Sequence, residues 1–93
     1  MTKECKESVV INNKSGLHVR TATQLVKTAE GFDCEVFIDR KGFDRVNAKS
    51  IMSVLTLAAP QGTELTLITK GPDAQEAMDA LRQLFLSSFG EGK

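Results

Sequence analysis

The spacing of apolar residues in the first third of the chain predicts a strand followed by a helix. Val9 and Ile11 occupy alternate positions near the end of segment 5–12, which is typical of a strand with one buried face. After a loop at 12–16, apolar residues recur three and four positions apart, the period of an amphipathic helix. We expect this helix to begin near Thr21 and to end at Gly31, with an apolar face of Ala22, Leu25, Val26 and Ala29.

The middle of the chain predicts a hairpin and then an apolar segment that fits either a strand or a short helix. Segment 34–40 alternates again, with Cys34, Val36 and Ile38 on one face. A turn at 41–42 leads to a return strand over 43–48, with Val46 facing inward. Segment 50–59 is apolar on nearly every side, so that a strand and a short helix both fit the pattern. Its Met, Leu and Ala residues favour the helix, and 60–62 ends it.

The last third of the chain predicts one more strand and one more helix. Segment 64–69 is a strand with Leu65 and Leu67 inward, and the turn 71–73 offers Asp73 as a helix cap. A helical stripe then continues to about Phe89. The final GEGK, residues 90–93, is expected to be a frayed tail. The stripe consists of Ala77, Met78, Leu81, Leu84 and Phe85.

The order strand, helix, strand, strand, helix, strand, helix predicts an α+β fold. The hairpin makes the sheet at least partly antiparallel, and the simplest packing places all three helices on one face. The other face is then open to solvent, which gives an open-faced two-layer sandwich of βαββαβα order. Because the chain has 93 residues, we expect residues 1–93 to form a single domain.

Charge and cysteine usage exclude several classes of function. The 12 basic and 12 acidic residues cancel, whereas nucleic-acid binders usually carry a basic stripe. No apolar run is long enough for a membrane span, and the charged start is unlike a secretory signal, so a cytoplasmic location is expected. Cys5 and Cys34 belong to no metal-binding motif and are expected to be reduced and buried. With one histidine in the chain, we expect no metal site and no cofactor.

The single histidine, His18, lies where the first loop meets the first helix. The free N–H groups and the dipole at a helix start favour a bound anion, above all phosphate. The same positive end disfavours a charged imidazole, so His18 is expected to be a neutral nucleophile. Arg20 supplies a cation suited to phosphate oxygens, and Gly16 permits close backbone approach. The pattern indicates phosphoryl transfer through imidazole, although a surface histidine or a weak helix cap would give the same local sequence.

Three segments resemble the HPr family, the phosphocarriers of the bacterial phosphoenolpyruvate-dependent phosphotransferase system. They are GLHVR at 16–20, AKSIM at 48–52 and QGTELTL at 61–67. The resemblance spans nearly the whole chain, in order and with matching element lengths. It implies an open-faced, four-stranded antiparallel sheet covered by three helices, in agreement with the fold class derived from the pattern.

The resemblance implies a role for three residues. His18 matches the histidine that enzyme I phosphorylates on its δ nitrogen and that discharges onto IIA-type proteins, and Arg20 matches the arginine that stabilises the phosphoryl group. Ser50 matches the serine that HPr kinase/phosphorylase modifies in many members. A serine there also suits the N-cap of the second helix, and the two roles are compatible. We expect a monomeric carrier rather than an independent catalyst.

The chain departs from the usual family pattern at Thr21, where a proline normally follows the arginine. Thr21 restores a backbone N–H and adds a hydroxyl, which is expected to alter the rigidity of the site and one phosphate contact. Segment 31–36 and the C-terminal pattern GPDAQEA…LF…F, which begins at 71, resemble NPr, the carrier of the nitrogen-related branch, whose members tend to serve regulation. A regulatory protein-binding module therefore remains the alternative function.

An RNA-binding sheet is disfavoured by the zero net charge and by strand aromatics limited to Phe37 and Phe43.

Segment 50–59 has more apolar residues than one helix face can bury, which predicts an exposed apolar patch. We expect Val54, Leu57 and Ala58 to face the sheet. The remaining residues would then lie partly exposed beside His18, a feature that often marks a docking surface. Together with Thr21, the expected docking residues are Ile51, Met52 and Leu55.

Overall fold

The computed structural model describes residues 3–91 as a four-stranded antiparallel sheet with its helices packed on one face. The elements are β1 Glu4–Val10, α1 Val19–Glu30, β2 Glu35–Asp39, β3 Val46–Asn47, α2 Ile51–Leu55, β4 Glu64–Lys70, α3 Ala74–Leu86 and a 3-10 turn at Ser88–Gly90. The strand order is β1-β4-β2-β3, so the first and last strands in sequence, β1 and β4, are neighbours. This confirms the predicted α+β open-faced sandwich.

A single hydrophobic cluster fills the space between the sheet and the helices. The inward residues predicted for the later strands, among them Val36, Ile38, Leu65 and Leu67, are buried, whereas Val9 of the first strand is half-buried. The apolar face predicted for α1 is buried in full, and that of α3 is buried except for the half-buried Leu84. The periodic spacing in the sequence therefore locates the core correctly, because burial on one face is what imposes that spacing.

The ends of β1 and β4 bring the loop before α1 against the segment that follows α2. The N–H of Ile11 donates to the carbonyl of Thr63 at 3.0 Å, and the N–H of Gly62 donates to Ile11 at 2.7 Å. One step further, the N–H of Leu17 donates to the carbonyl of Ala59 at 2.9 Å. These backbone bonds fix the position of the residue that follows Leu17, which is His18.

Two elements are shorter than the pattern predicts. β3 covers only two residues of the predicted strand 43–48, because Phe43 lies under the Arg40 guanidinium in a turn and Arg45 pairs with Asp39 at 2.7 Å. α2 ends at Leu55, and the chain reverses at Ala58, whose φ is +46°. Ala58 is consequently exposed, and Ala59 takes the buried place expected for it.

Two expectations about α3 and its surroundings are wrong. Asp73 precedes α3 without capping it, because its carboxylate accepts the backbone N–H of Asp33 at 2.8 Å. α3 ends at Leu86, and the following residues turn back instead of fraying. Phe89 is buried there with its ring edge-on to that of Phe85, and the two ring centroids are 5.0 Å apart. The last two residues of the predicted tail, 92 and 93, lie outside the described residues.

Both cysteines are free, Cys34 buried and Cys5 half-buried rather than buried as expected. Burial raises the pKa of the Cys34 thiol, which favours the neutral form of a small core residue. Among residues 3–91, no helix combines the length and the apolar content that crossing a bilayer requires.

Candidate functional site

His18 is the N-cap of α1, as its position in the sequence predicts. Its backbone is extended, with φ −122°, and its Nδ1 accepts the backbone N–H of Arg20 at 3.2 Å. In return, the hydroxyl oxygen of Thr21 accepts the backbone N–H of His18 at 3.0 Å. The two bonds form a capping box, in which each residue satisfies an N–H that the helix leaves free.

Thr21 is a structural residue rather than a docking residue. Its side chain is fully buried, and its hydroxyl donates to the carbonyl of Gly16 at 2.9 Å. A partner or a phosphate cannot contact this hydroxyl, which corrects both the expected docking role and the expected phosphate contact. The residue that replaces the usual proline instead ties the loop before His18 to the first turn of α1.

Gly16 permits a close backbone approach, although its neighbour is protein rather than phosphate. Its φ is +66°, and a Cβ added there would lie 2.5 Å from the carbonyl oxygen of Ala59 and 2.9 Å from the Cα of Pro60. Only glycine accommodates both this conformation and this contact. Gly16 therefore lets the loop before His18 rest directly on the segment after α2.

A carboxylate that the sequence pattern does not predict, that of Glu91, lies in the same site. Its Oε1 accepts hydrogen bonds from the Asn13 side-chain amide at 3.1 Å and from the Ser15 hydroxyl at 2.6 Å. Its Oε2 accepts from His18 Nε2 at 3.2 Å and from Arg20 Nε at 3.0 Å, and a second Arg20 nitrogen, Nη2, also contacts it. The expected frayed tail thus supplies an anion that joins four residues of the loop and the first turn.

The surroundings of Glu91 strongly favour its charged form. The Ser15 hydroxyl, followed by the Arg20 guanidinium, lowers the pKa of Glu91 to about 2, with smaller contributions from Asn13 and His18. A carboxyl with a lowered pKa stabilises the fold above its usual titration range and loses that contribution as the pH falls through about 2. At neutral pH the Glu91 carboxyl is therefore ionised and pairs with the Arg20 guanidinium as a full negative charge.

The hydrogen-bond partners of His18 assign the tautomer of its ring. Nδ1 accepts an N–H from the backbone, and Nε2 faces a carboxylate, so the neutral ring carries its proton on Nε2. The lone pair on Nδ1 then points at the N-terminus of α1, where the helix favours negative charge. An imidazole in this state can act as a nucleophile through Nδ1. The His18 side chain is 35% exposed, and that of Arg20 is 70% exposed, so a partner can reach both.

Ser50 is the N-cap of α2, as one of its two readings predicts. Its hydroxyl oxygen accepts the backbone N–H of Ser53 at 3.3 Å, and the residue is half-buried. No hydrogen bond of the described residues joins Ser50 to His18 or to Arg20. A modification at Ser50 would therefore act on the surface around α2 rather than on the imidazole directly.

An apolar surface lies on α2, as its composition predicts. Met52 is 75% exposed and Ile51 36% exposed, while Leu55 is half-buried against the core. Val54 and Leu57 face inward as expected. Val19, the residue after His18, is a further exposed apolar residue at 65%, and it begins α1, the helix that contacts α2. We call these four residues, Val19, Ile51, Met52 and Leu55, the α2 patch.

Comparison with known proteins identifies relatives over nearly the full length of the chain. A family model described as the PTS HPr component phosphorylation site matches residues 5–87. The phosphocarrier protein HPr of Cupriavidus necator is 48% identical over 88 residues, which are 95% of this chain and 98% of that protein. The HPr of Neisseria meningitidis serogroup B is 47% identical over the same shares of both chains.

Solved structures agree with this relationship. The crystal structure of HPr-C-His from Thermoanaerobacter tengcongensis superposes with a TM-score of 0.91 at 38% identity, covering 96% of this chain and 99% of that one. HPr from Bacillus anthracis superposes with a TM-score of 0.83 at 38% identity, covering 88% and 96%. Sequence, fold and family model coincide over almost every described residue, and the chain belongs to the HPr family of phosphocarrier proteins of the phosphotransferase system.

Proposed function

We propose that this chain accepts a phosphoryl group from enzyme I on Nδ1 of His18 and passes it to IIA-type proteins. The observation that carries the proposal is the direction of the Nδ1 lone pair, which faces the free N–H groups at the start of α1. A phosphoryl group on this nitrogen would lie where backbone donors and the helix dipole stabilise negative charge. On Nε2 it would instead meet the Glu91 carboxylate.

The proposed transfer conserves the proton on the ring. Nδ1 attacks the phosphorus of phosphorylated enzyme I, the new N–P bond forms, and the bond to the donor breaks with its electron pair leaving on enzyme I. The ring becomes positively charged in this step, since Nε2 keeps its proton. The Arg20 guanidinium and the His18 ring contact the same Glu91 oxygen, and the guanidinium would stabilise the charge that spreads over the phosphoryl oxygens. Discharge onto a IIA-type protein reverses these changes with a different acceptor.

Incubation with enzyme I and phosphoenolpyruvate, read by intact mass, tests the proposal. We expect one added phosphoryl group that is lost in acid and stable in base, and that is lost again when a IIA-type protein is added. Failure to acquire the group would contradict the carrier function. Phosphorylation that no IIA-type protein removes would favour the alternative, a regulatory module that binds partners according to its phosphorylation state.

The α2 patch is proposed to dock enzyme I, and Met52→Lys should show this. Met52 is largely exposed, so the charge should leave the fold intact while it removes an apolar side chain from the α2 patch. We expect transfer from enzyme I to slow about ten-fold, which corresponds to the loss of about 1.4 kcal/mol of docking free energy.

Leu86→Lys is the matched control, because Leu86 is 63% exposed on α3, away from the patch. Equal transfer rates in the two variants would remove the patch from the mechanism. If Met52→Lys unfolds while Leu86→Lys stays folded, the Met52 side chain supports the core.

Ser50 is proposed as a regulatory phosphorylation site for HPr kinase/phosphorylase, and Ser50→Asp should mimic the modified form. An aspartate can keep the cap of α2 because its carboxylate also accepts the Ser53 N–H. The added charge beside the α2 patch should weaken docking of an acidic partner several-fold while the melting temperature stays close to that of the wild type. Ser8→Asp, on the exposed side of β1, is the control for charge alone. Unchanged transfer kinetics in Ser50→Asp would count against a switch.

A further inference from the structure

The Glu91 carboxylate occupies the site as an anion that the protein itself provides. We propose that Glu91 competes with the phosphoryl group: it binds the unloaded site, leaves when His18 is phosphorylated, and thereby makes the phosphorylated form readier to give up its group. The inference rests on the proposed function, since it describes how the same site is regulated.

The first argument is that the guanidinium proposed to bind the phosphoryl oxygens is already engaged by a carboxylate. The Ser15 hydroxyl, the Asn13 amide and two nitrogens of Arg20 all donate to Glu91. Arg20 makes its ion pair with this carboxylate, so it must release Glu91 in part before its guanidinium can turn to phosphate oxygens. With His18 Nε2 as a fourth partner, the carboxylate shows that the loop and the helix start together bind an anion.

The second argument is charge. A phosphoryl group on Nδ1 would add a charge of about −2, only half of which the positive ring offsets, so phosphorylated His18 would present a net negative charge to the Glu91 carboxylate. The Glu91 side chain is only 13% exposed, so water screens this repulsion poorly. When two anions share one guanidinium, each of them is bound less tightly than it would be alone. The loaded site therefore favours the state in which Glu91 has moved away.

The third argument is that the segment carrying Glu91 can open without disturbing the core. Ser88 and Phe89 both adopt left-handed backbone angles, with φ +54° and +55°, which cost about 1 kcal/mol or more for each residue that is not glycine. Phe89 is buried against Phe85 and fixes the start of the segment. Gly90, with φ +75°, follows directly and can change its backbone angles cheaply. Release can therefore be confined to residues after Phe89.

Thermodynamic linkage gives the competition a measurable size. If Glu91 disfavours the phosphoryl group, the phosphoryl group must disfavour the bound Glu91 by the same factor. Glu91→Gln removes the charge and keeps the length of the side chain. We expect it to shift the phosphoryl-exchange equilibrium with enzyme I, phosphoenolpyruvate and pyruvate toward the phosphorylated form by about five-fold, the lower end of usual coupling.

The control is Glu35→Gln, which changes net charge by the same amount. Glu35 lies opposite Lys70 in the register of β2 and β4, at the end of the sheet away from the loop that carries His18. Equilibria are read by phosphorus NMR at one fixed ratio of phosphoenolpyruvate to pyruvate. An equilibrium in Glu91→Gln equal to that of the control would overturn the competition. A shift toward the unphosphorylated form would overturn it as well, because Glu91 would then support the loaded site.

A second measurement does not depend on phosphoryl transfer. Inorganic phosphate is titrated into each variant while the amide signals of Val19, Arg20 and Thr21 are followed by NMR. We expect Glu91→Gln to bind phosphate about five-fold more tightly than the wild type and Glu35→Gln. If enzyme I leaves the wild type unphosphorylated while this difference is present, the carrier function fails and the competition for the anion site stands. Equal phosphate affinities would overturn the competition even if the carrier function holds.

Discussion

Replacing His18 with Ala should abolish phosphoryl acceptance from enzyme I. His18 is the only histidine of the chain, and no second imidazole can take over its role. The loss should be complete rather than partial, because the variant lacks the atom to which phosphorus binds. Intact mass after incubation with enzyme I and phosphoenolpyruvate measures the outcome.

His18→Asn separates this chemical role from the structural one. His18 also caps α1, and loss of a cap costs about 1 kcal/mol. Asparagine is a favoured N-cap residue, so His18→Asn should keep the melting temperature near that of the wild type and still accept no phosphoryl group. A phosphorylated His18→Ala or His18→Asn protein would show that another residue is the acceptor.

Gly16→Ala should destabilise the protein by about 3 kcal/mol, the sum of a strained backbone and an overpacked contact. The new methyl group would lie 2.5 Å from the carbonyl oxygen of Ala59, and the backbone there cannot yield without breaking the bond from Leu17 to Ala59. Gly16 also accepts the Thr21 hydroxyl, so the same displacement would disturb the cap of α1. Chemical denaturation measures the loss in the free energy of unfolding.

Gly42→Ala is the matched control for the backbone term. Gly42 also has a positive φ, +86°, but an added Cβ would meet nothing within 4 Å. We expect this variant to lose only about 1 kcal/mol, the cost of the left-handed conformation. Similar losses in the two variants would show that the contact between Gly16 and Ala59 contributes little to stability.

The longer helices and the core could be predicted from the sequence because their signals are local and repeated. Ala22, Leu25 and Val26 mark the buried face of α1 by spacing alone, and all are buried. α2 and β3 could not be bounded in this way, since each is shorter than the windows in which a period can be counted. Their ends depend on tertiary contacts, such as the reversal at Ala58 that brings Ala59 to Leu17.

The candidate site also combines residues that local sequence predicts with residues that only tertiary contacts bring in. His18 and Arg20 share a five-residue motif, so the sequence alone places them together at a helix start. Glu91 follows them by more than 70 positions, in a stretch whose glycines and charges suggest a frayed tail. Its place depends on the left-handed turn at Ser88 and Phe89, which no periodicity predicts. Thr21 reads as a surface substitution until the structure shows its hydroxyl buried.

The position of the phosphoryl group on the ring tests the central claim most directly. After phosphorylation by enzyme I, NMR of protein labelled with nitrogen-15 on histidine identifies which nitrogen of His18 is coupled to phosphorus. The hydrogen bonds of the ring leave the lone pair on Nδ1 and the proton on Nε2, so the group should be on Nδ1. A phosphoryl group on Nε2, or one on any other residue, would contradict the account.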